Sequence, residues 1–399
     1  MIVNADFHIH SPYSKPTQHP VSLKQLSTNA SIKGLDILGT GDCLHPQWLN
    51  QIKTLEQIDE GTFCFDQTIF LLTVEIETND GIHHLLFFPS ISCIHDFIER
   101  TSSFSPNIDE KGRPHLDISS EHLAFLAKST DALIGPAHLF DANKGLYSKY
   151  PTLSSCYKQM TPYIAFAELG LGTNTYHADK IGELHHLTYL TNSDTHNPHP
   201  IRLGRQFTQF QITDLTFSEI KKAILRNQGK KSVLNVGFPP EEGKYFSSAC
   251  THCHKRYTVS DAEQKNWICH CGYPIKKGVT DIIQEKATYP TPQHPYHRPL
   301  YLSFLPLHEI ITRTLREQNP FTKTVSKHYN NLISTFGNEI TILLQTPIED
   351  ISRISPPSIS ESIQAFRYAI VYFNPGGGGT YGSVSIPWEK DKITISLRN

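Results

Sequence analysis

Apolar and polar positions along the first ~235 residues alternate between two rhythms. Short apolar runs occur at Ile2–Phe7, Leu35–Thr40, Ile69–Glu75, Ala132–Pro136, Ile164–Glu168 and Leu187–Ser193, and each predicts a buried strand. Segments of helical periodicity separate them: Ser22–Ile32, Pro46–Gln57, Ser92–Arg100, Ser119–Lys128 and His177–His185, with a last helix at Ser218–Asn227. His83–Pro89 reads as a further buried strand. Strands alternating with helices predict a parallel sheet with crossover helices, here with seven strand units, close to a closed barrel. The fold class expected is α/β: a distorted (β/α)7 barrel with two appended modules.

The rhythm breaks near Pro239-Pro240-Glu-Glu-Gly. A small Cys/His-rich module follows at about Phe246–Lys277, then a linker, Tyr289-Pro-Thr-Pro-Gln-His-Pro-Tyr-His-Arg-Pro, whose prolines favour an extended, stiff spacer. The last hundred residues predict helices at Leu307–Gln318 and Lys323–Phe336, a strand-like Glu339–Leu344, a helix near Ser360–Tyr368 and a glycine-rich turn at Pro375–Gly382. The expected division is a barrel at 1–238, a zinc-finger module at 239–287 and a mostly helical DNA-binding module at 288–399.

A chain of 399 residues exceeds one ordinary core, and 38% hydrophobic with 19% charged residues describes a globular protein. No apolar run approaches the ~18 residues of a membrane span. Met1-Ile-Val-Asn-Ala-Asp lacks a basic region followed by a long apolar stretch, so a cytoplasmic location is expected. Four of the eight cysteines, Cys43, Cys64, Cys93 and Cys156, are scattered, as reducing conditions permit. The net charge of −2 gives no global attraction for nucleic acid, so any such binding needs local basic patches.

The candidate chemistry sits at the ends of the predicted strands. His8-x-His10 places two imidazoles on one strand face, and Asp6 shares that face as a candidate to orient a ligand. Asp194-x-His196 repeats the geometry with a carboxylate, and His138 follows the strand Ala132–Pro136. Gly39-Thr-Gly-Asp42 and Val74-Glu75 end two more apolar runs. A His, Asp and Glu set of this kind suits two or three divalent metals that activate water and clamp a phosphate. Of the adjacent His83 and His84 only one can face the centre, and His84, which starts the apolar run, is favoured. Glu168 is open between ligand and buried hydrogen-bonding residue; Asp36, His45 and Glu77 are weaker candidates.

Cys250-x2-Cys253 and Cys269-x-Cys271 predict one structural zinc held by four thiolates, with His252, His254 and His270 as substitutes. Lys255, Arg256, Lys265, Lys276 and Lys277 interleave with Tyr257, Trp267 and Tyr273 there, a composition suited to phosphate contact and base stacking. Arg202 and Arg205, just after the last metal motif, are further candidates for phosphate contacts.

Asp6-Phe-His8-Ile-His10, Gly39-Thr-Gly-Asp42, Val74-Glu75, His84, Pro136-Ala-His138 and Asn192-Ser-Asp194-Thr-His196 resemble the motifs of the PHP superfamily of phosphoesterases. With His10-Ser-Pro-Tyr-Ser14, His45-Pro46, Leu203-Gly-Arg205, the four cysteines, Pro306-Leu307 and Pro375-Gly…Tyr381-Gly382, the chain resembles more closely the endonuclease Q family, from about residue 1 to residue 388. That resemblance implies a DNA repair endonuclease that nicks 5′ of deaminated bases (uracil, hypoxanthine, xanthine) and of abasic sites. It implies one metal on His8, His10, Glu75 and Asp194, a second on Glu75, His84 and His138, and a third involving His196 and Asp42. The metals expected are Zn, Mn or Mg, with His8, His10, Glu75, Asp194 and His196 as the catalytic set. Two departures are present: Cys43 stands where many superfamily members have His, and Gly376–Gly379 replace bulkier or acidic residues. DNA contacts are expected from Arg202, Arg205, Lys255, Arg256 and Tyr381. The partner expected is double- or single-stranded DNA carrying deaminated bases, with a replication or repair clamp as a further candidate. Two rival readings are a histidinol-phosphate-type phosphatase and a non-catalytic DNA-binding protein; the first leaves the cysteine module and the last hundred residues without a role.

Overall fold

The computed structural model describes residues 1–15 and 21–385; the last residues of the expected helical module, 386–399, and the end of the resemblance at 386–388 lie outside the described residues. Three strands run parallel from the N-terminus: β1 (Ile2–Asp6), β2 (Ile37–Gly39) and β3 (Thr68–Leu71), in register at Ala5↔Ile37 and Ile37↔Ile69. Only Leu72 separates β3 from β4 (Thr73–Thr78), so the two form one bent stave. The chain then reverses through Asn79–Ile82, with Gly81 at φ 77°, into β5 (His83–Phe87), which is antiparallel to β4. β6 (Leu133–Pro136) is antiparallel to β5. β7 (Phe166–Glu168) joins β6 through the bond from Ala165 N to Ile134 O at 2.9 Å and runs parallel to β8 (Thr188–Leu190). The ring closes where Ile9 bridges Thr195 and His10 N donates to Thr195 O at 2.9 Å.

β1, β2, β3–β4, β5, β6, β7 and β8 are the seven staves of a distorted α/β barrel. The sheet expected to be parallel is mixed, because the Asn79-Asp80-Gly81 turn makes β5 a hairpin partner rather than the product of a crossover. Phe7, Phe87 and Phe166 pack ring to ring at 5.1 and 5.0 Å, a rigid ladder one or two residues before His8 and Glu168 in their strands. Such close packing holds the strand ends still.

Other elements depart from the sequence pattern. The helix expected at Pro46–Gln57 stops at Ile52, and Glu56–Asp59 pairs with Thr62–Phe65 around Gly61. The helix expected at His177–His185 breaks into Thr175–Ala178 and a 3-10 turn at Gly182–Leu184. Past the barrel, β9 (Phe207–Gln211) pairs antiparallel with β1, β10 (Lys231–Gly237) with β9, and Leu300–Ser303 adds parallel to β10.

The Pro-rich linker is not a free spacer. Arg298 lies over the Tyr189 ring at 3.3 Å and is bonded to Asp179, which also holds His294 at 2.7 Å. In the C-terminal module the helices span Leu307–Thr314, Lys323–Phe336, Glu339–Leu344, Ile348–Ile354 and Pro357–Arg367. Glu339–Leu344, strand-like by alternation, is a helix. The Asn338 side chain caps it by accepting from Thr341 N at 2.8 Å, and Ile340, Ile342 and Leu343 are all buried. Capping and tertiary burial outweigh the local propensity of this isoleucine-rich stretch.

A buried ion pair joins this module to the barrel. Lys33 ends the helix Leu23–Lys33, and its Nζ meets Glu339 Oε1 at 2.6 Å and Pro200 O at 3.0 Å. Glu339 also accepts from Leu307 N at 2.9 Å and from the Tyr329 hydroxyl at 3.1 Å. Beside them Gly34, at φ 94°, lies so close to Asn338 that a Cβ would fall 2.3 Å from its Oδ1. No helix among the described residues is long and apolar enough to cross a membrane.

Candidate metal centre

Five imidazoles and two carboxylates converge at one end of the barrel. His8 and His10 lie just past β1 with ring centroids 5.2 Å apart, both buried. His8 Nδ1 donates to Glu168 at 3.0 Å, and His10 Nδ1 faces Asp42 Oδ1 at 3.3 Å. Each ring therefore has one nitrogen fixed by a carboxylate and presents Nε2 to the centre. Those Nε2 atoms lie 3.3–3.6 Å from Glu75 and Asp194 oxygens and have no hydrogen-bond partner among the described residues. His196 Nε2 is likewise buried without a partner, and its ring is 4.1 Å from that of His10. On the far side of Glu75, Oε1 meets His83 Nδ1 at 2.7 Å and His138 Nε2 at 3.0 Å. Carboxylate-oriented imidazoles with their second nitrogen directed inward are the usual supporting arrangement of a metal site.

The candidate donor atoms fall into three sets: His8, His10 and Glu75; His10, Asp194 and His196; and Glu75, His83 and His138. Within each, the ligand atoms lie within 4.8 Å of one another. Burial alone would drive the imidazoles neutral and the carboxylates protonated. Burial is opposed at His8 by the charges of Glu168, Asp194 and Glu75, and its pKa is raised well above the usual histidine value; His10, which faces the carboxylates of Asp194, Asp42 and Glu75, shifts the same way. Against the same burial, His138 is raised to about 9 by Glu75. Glu75 is held well below the carboxylate range by His83 and His8 despite its burial. The cluster thus favours protons on imidazoles beside its carboxylates, a role that divalent cations would fill on the same atoms while displacing those protons. Three of the residues, Asp42 (φ 51°), His138 (φ 29°) and Asp194 (φ 47°), also hold left-handed backbone, a strain that concentrates at functional sites.

Several residues stand elsewhere than their sequence positions predict. His84 is outside the centre: it shares hydrogen bonds with the Tyr157 hydroxyl at 2.9 Å, Ser120 at 3.0 Å and Thr78 at 3.1 Å. Burial pushes its pKa down to about 3, so it is a neutral core histidine. His83 takes the inward place. The reason is register: β5 pairs Glu77↔His83 and Ile76↔His84, so His83 shares the face of Glu75 and Glu77. Glu77 then accepts from His83 Nε2 at 3.1 Å and from Lys144 at 2.7 Å. Asp6 does not reach the histidines; its carboxylate accepts from Ser193 N and Gly204 N, each at 3.0 Å, and burial raises its pKa to about 6. Asp42 is absent from the three donor sets and binds His10 together with the amide of Ser11 at 2.7 Å. Glu168 accepts from His8, from His138 N at 2.7 Å and from Asn192 at 2.8 Å, an orienting hub.

Of the expected DNA contacts, Arg202 and Lys255 are exposed, and Tyr381 is 72% exposed. Tyr381 lines a cavity of about 330 Å³ beside the centre together with Phe140, Tyr245 and Phe246. Arg205 is half-buried and donates to Ser193 O at 3.0 Å. Arg256 donates to Asn374 at 2.8 Å and to Pro375 O, tying the cysteine module to the glycine-rich turn. Arg113, on no predicted element, donates to Glu75 at 3.1 Å; no sequence pattern marks it.

Cys250 and Cys271 Sγ lie 3.5 Å apart, as do Cys253 and Cys269, far beyond the ~2.05 Å of a disulfide. All four sulfurs lie within 4.8 Å of one another, and the amides of His252 and Cys253 point at Cys250 Sγ at 3.4 Å. About 3.8 Å between sulfurs is what tetrahedral ligation at ~2.3 Å requires. His252 instead stacks on Tyr273 at 4.1 Å.

A seven-stave barrel that gathers histidines about a shared glutamate at one rim, with a four-cysteine module and a helical module appended, is the layout of a PHP-type metal-dependent phosphoesterase. The solved structures narrow this. The chain is 41% identical to the lesion-specific endonuclease PfuEndoQ from Pyrococcus furiosus, with a TM-score of 0.94 over 99% of this chain and 98% of that one. It is also 41% identical to Endonuclease Q in complex with a 27-mer duplex substrate with an abasic lesion at the active site, with a TM-score of 0.92 over 100% of both chains. The chain belongs to the endonuclease Q family. An uncharacterized protein of Methanocaldococcus jannaschii, MJ0043, is 38% identical over 261 residues, 63% of this chain and 32% of that protein, so the match spans about a third of that relative. The family described as MJ0043 C-terminal domain matches residues 306–369, the helical module.

Proposed function

We propose that the chain is a metal-dependent DNA repair endonuclease that nicks the phosphodiester 5′ of deaminated bases (uracil, hypoxanthine and xanthine) and of abasic sites. The observation that carries this is the Glu75-centred cluster opening onto the 330 Å³ cavity, in a chain that matches an endonuclease bound to abasic duplex along its full length. His8, His10, Glu75 and Asp194 would hold one ion and Glu75, His83 and His138 a second, while Asp194 and His196 offer donors for a third. The imidazole-rich set favours Zn²⁺ or Mn²⁺ over Mg²⁺, which prefers oxygen ligands. When bound, such ions supply positive charge for the phosphate and activation of water.

The chain's own groups do the positioning. Glu168, Asp42 and Glu77 hold His8, His10 and His83 in one tautomer and one orientation each. The cavity beside the centre, walled by Phe140, Tyr245, Phe246 and Tyr381, falls in the size range of a small-molecule site and suits one extruded nucleoside. Extrusion costs a few kcal/mol and least for a mispaired or missing base, which by itself favours lesions. Arg202, Arg205, Lys255, Arg256 and Tyr381 remain the candidate DNA contacts, with Arg205 and Arg256 also bracing Ser193 and the glycine-rich turn. The zinc-finger and helical modules would grip the duplex. A histidinol-phosphate-type phosphatase would leave both without work.

Labelled duplexes carrying one uracil, hypoxanthine or abasic site, incubated with and without divalent metal, test this. The expected products carry a 3′-hydroxyl and a 5′-phosphate, with the lesion at the 5′ end of the downstream fragment. Free uracil, equal cutting of undamaged duplex, or histidinol-phosphate hydrolysis without DNA cleavage would overturn it. The cysteine module is expected to bind one structural zinc. Cys250→Ser or Cys271→Ser should then lose about one zinc equivalent and unfold that module, because binding and folding are coupled in such sites. Full zinc retention by both variants in elemental analysis would exclude four-thiolate ligation.

A further inference from the structure

Arg113 sits on a loop fastened to the metal centre from both sides. Gly112 N donates to Tyr13 O at 3.0 Å, Glu77 N donates to Pro114 O at 3.1 Å, and His115 N donates to Asn107 Oδ1 at 3.0 Å. Gly112 itself presses on the centre: a Cβ there would fall 2.3 Å from Asp42 Oδ2 and 2.7 Å from Ser14 Oγ. The backbone that carries Arg113 is therefore keyed to Asp42 and Glu77, the carboxylates that orient His10 and His83. Arg113 Nη1 donates to Glu75 Oε2 at 3.1 Å, and among the described residues Glu75 is the only acceptor it touches. The side chain is 30% exposed and lines the same cavity as His83, His138 and Asp194.

A guanidinium beside a glutamate that would ligate divalent cations is costly unless it has further use. Its charge duplicates that of cations on the same carboxylate, and like charges repel at this range. Once Glu75 shares its charge with metal ligation, the guanidinium keeps four N–H donors for the cavity and loses the strength of its one anchor. An anion that spans the cavity mouth would meet both the ligand set and this fork. Arg presents paired donors that match the oxygens of a phosphate and stays charged at any working pH.

We propose that Arg113 is a catalytic residue that binds a non-bridging oxygen of the scissile phosphate, strengthening as negative charge builds there in the transition state. This rests on the hydrolytic function proposed above. Arg113→Gln and Arg113→Lys test it on the metal-loaded protein. Elemental analysis should find the same metal content in both variants as in the parent. Inorganic phosphate, titrated by calorimetry, should bind Arg113→Gln at least about tenfold more weakly. Turnover of an abasic duplex at saturation should fall about 100-fold or more, the usual cost of one preorganised donor, with KM changed only a few-fold. Arg113→Lys should recover part of each, since it restores charge without the fork.

Loss of metal from Arg113→Gln would overturn the assignment, because the residue would then merely position Glu75. Phosphate affinity equal to the parent's would overturn it as well. The DNA reading fails separately: a parent protein that nicks no lesion duplex, yet hydrolyses bis(p-nitrophenyl) phosphate with the same 100-fold dependence on Arg113, would sink the DNA substrate and leave the phosphate contact standing.

Discussion

Asp194→Asn and His8→Ala are each expected to lower nicking of a lesion-bearing duplex by about three orders of magnitude or more while leaving duplex affinity within a few-fold. Asp194 Oδ1 lies 3.5 Å from His8 Nε2 and 3.3 Å from His10 Nε2, so the carboxylate, a member of the donor set with His10 and His196, also faces both imidazoles of the set built on Glu75. Removing its charge weakens metal ligation and the charge stabilisation that ligation provides, worth several kcal/mol, or roughly a thousand-fold in rate. His8 loses both its inward nitrogen and its bond to Glu168, which also fixes the backbone of His138. Duplex affinity should persist because phosphate and sugar contacts spread over other surfaces dominate DNA binding. Anisotropy of a labelled abasic duplex in calcium buffer reads affinity, and gel-resolved single turnover in manganese reads rate. Parental turnover in either variant would remove the active-site assignment; a parallel collapse of affinity would mean that these residues hold the fold or the DNA instead.

Lys33→Met is expected to destabilise the protein by about 3–5 kcal/mol, the usual cost of stranding one member of a buried ion pair. Lys33 is 2% exposed and Glu339 fully buried, and Glu339 also anchors Leu307 N and the Tyr329 hydroxyl. Without the ammonium group, a carboxylate at the junction of barrel and helical module has two neutral donors and no counter-charge. The double variant Lys33→Met/Glu339→Met should regain most of the loss, because replacing both partners with apolar groups of similar volume removes the stranded charge. Urea titrations of the three proteins, followed by the fluorescence of buried Trp48 and by circular dichroism, measure the difference. A loss under about 1 kcal/mol in the single variant, or a double variant no better than the single, would show that the junction does not depend on this pair. Lys33 also bonds Pro200 O, four residues beyond His196. Weaker nicking by Lys33→Met at temperatures where it is fully folded would reveal strain passed from the module to the metal-side loop.

Much of the centre was legible because its residues come in pairs whose spacing is local. A strand places i and i+2 together whatever surrounds it, so His8 with His10 and Asp194 with His196 could be grouped from the chain alone. The four cysteines likewise declare themselves by spacing, and the barrel class by the alternation of apolar runs with helical periods. The choice of His84 over His83 failed for a reason of the same kind at longer range. Which of two neighbours faces inward depends on the direction and register of the strand that pairs with Glu75, and β5 runs antiparallel where a crossover was expected. The strand assigned to Glu339–Leu344 failed because six residues of mixed rhythm do not distinguish strand from helix; the Asn338 cap and burial on several sides decide it.

By itself, the sequence determined the kind of chemistry: the imidazoles, carboxylates and thiolates present, their pairing along the chain, and a barrel able to bring strand ends together. Those features depend on residue type and short-range geometry, which the backbone imposes anywhere. Only the tertiary structure decided which groups meet across long separations. It assigned Glu168, Asp42 and Glu77 to orient histidines rather than join them, aimed Arg113 at Glu75, and joined Lys33 to Glu339 across 306 positions. Such contacts are set by packing and by the cost of leaving a buried charge unpaired, and neither is encoded at any fixed spacing.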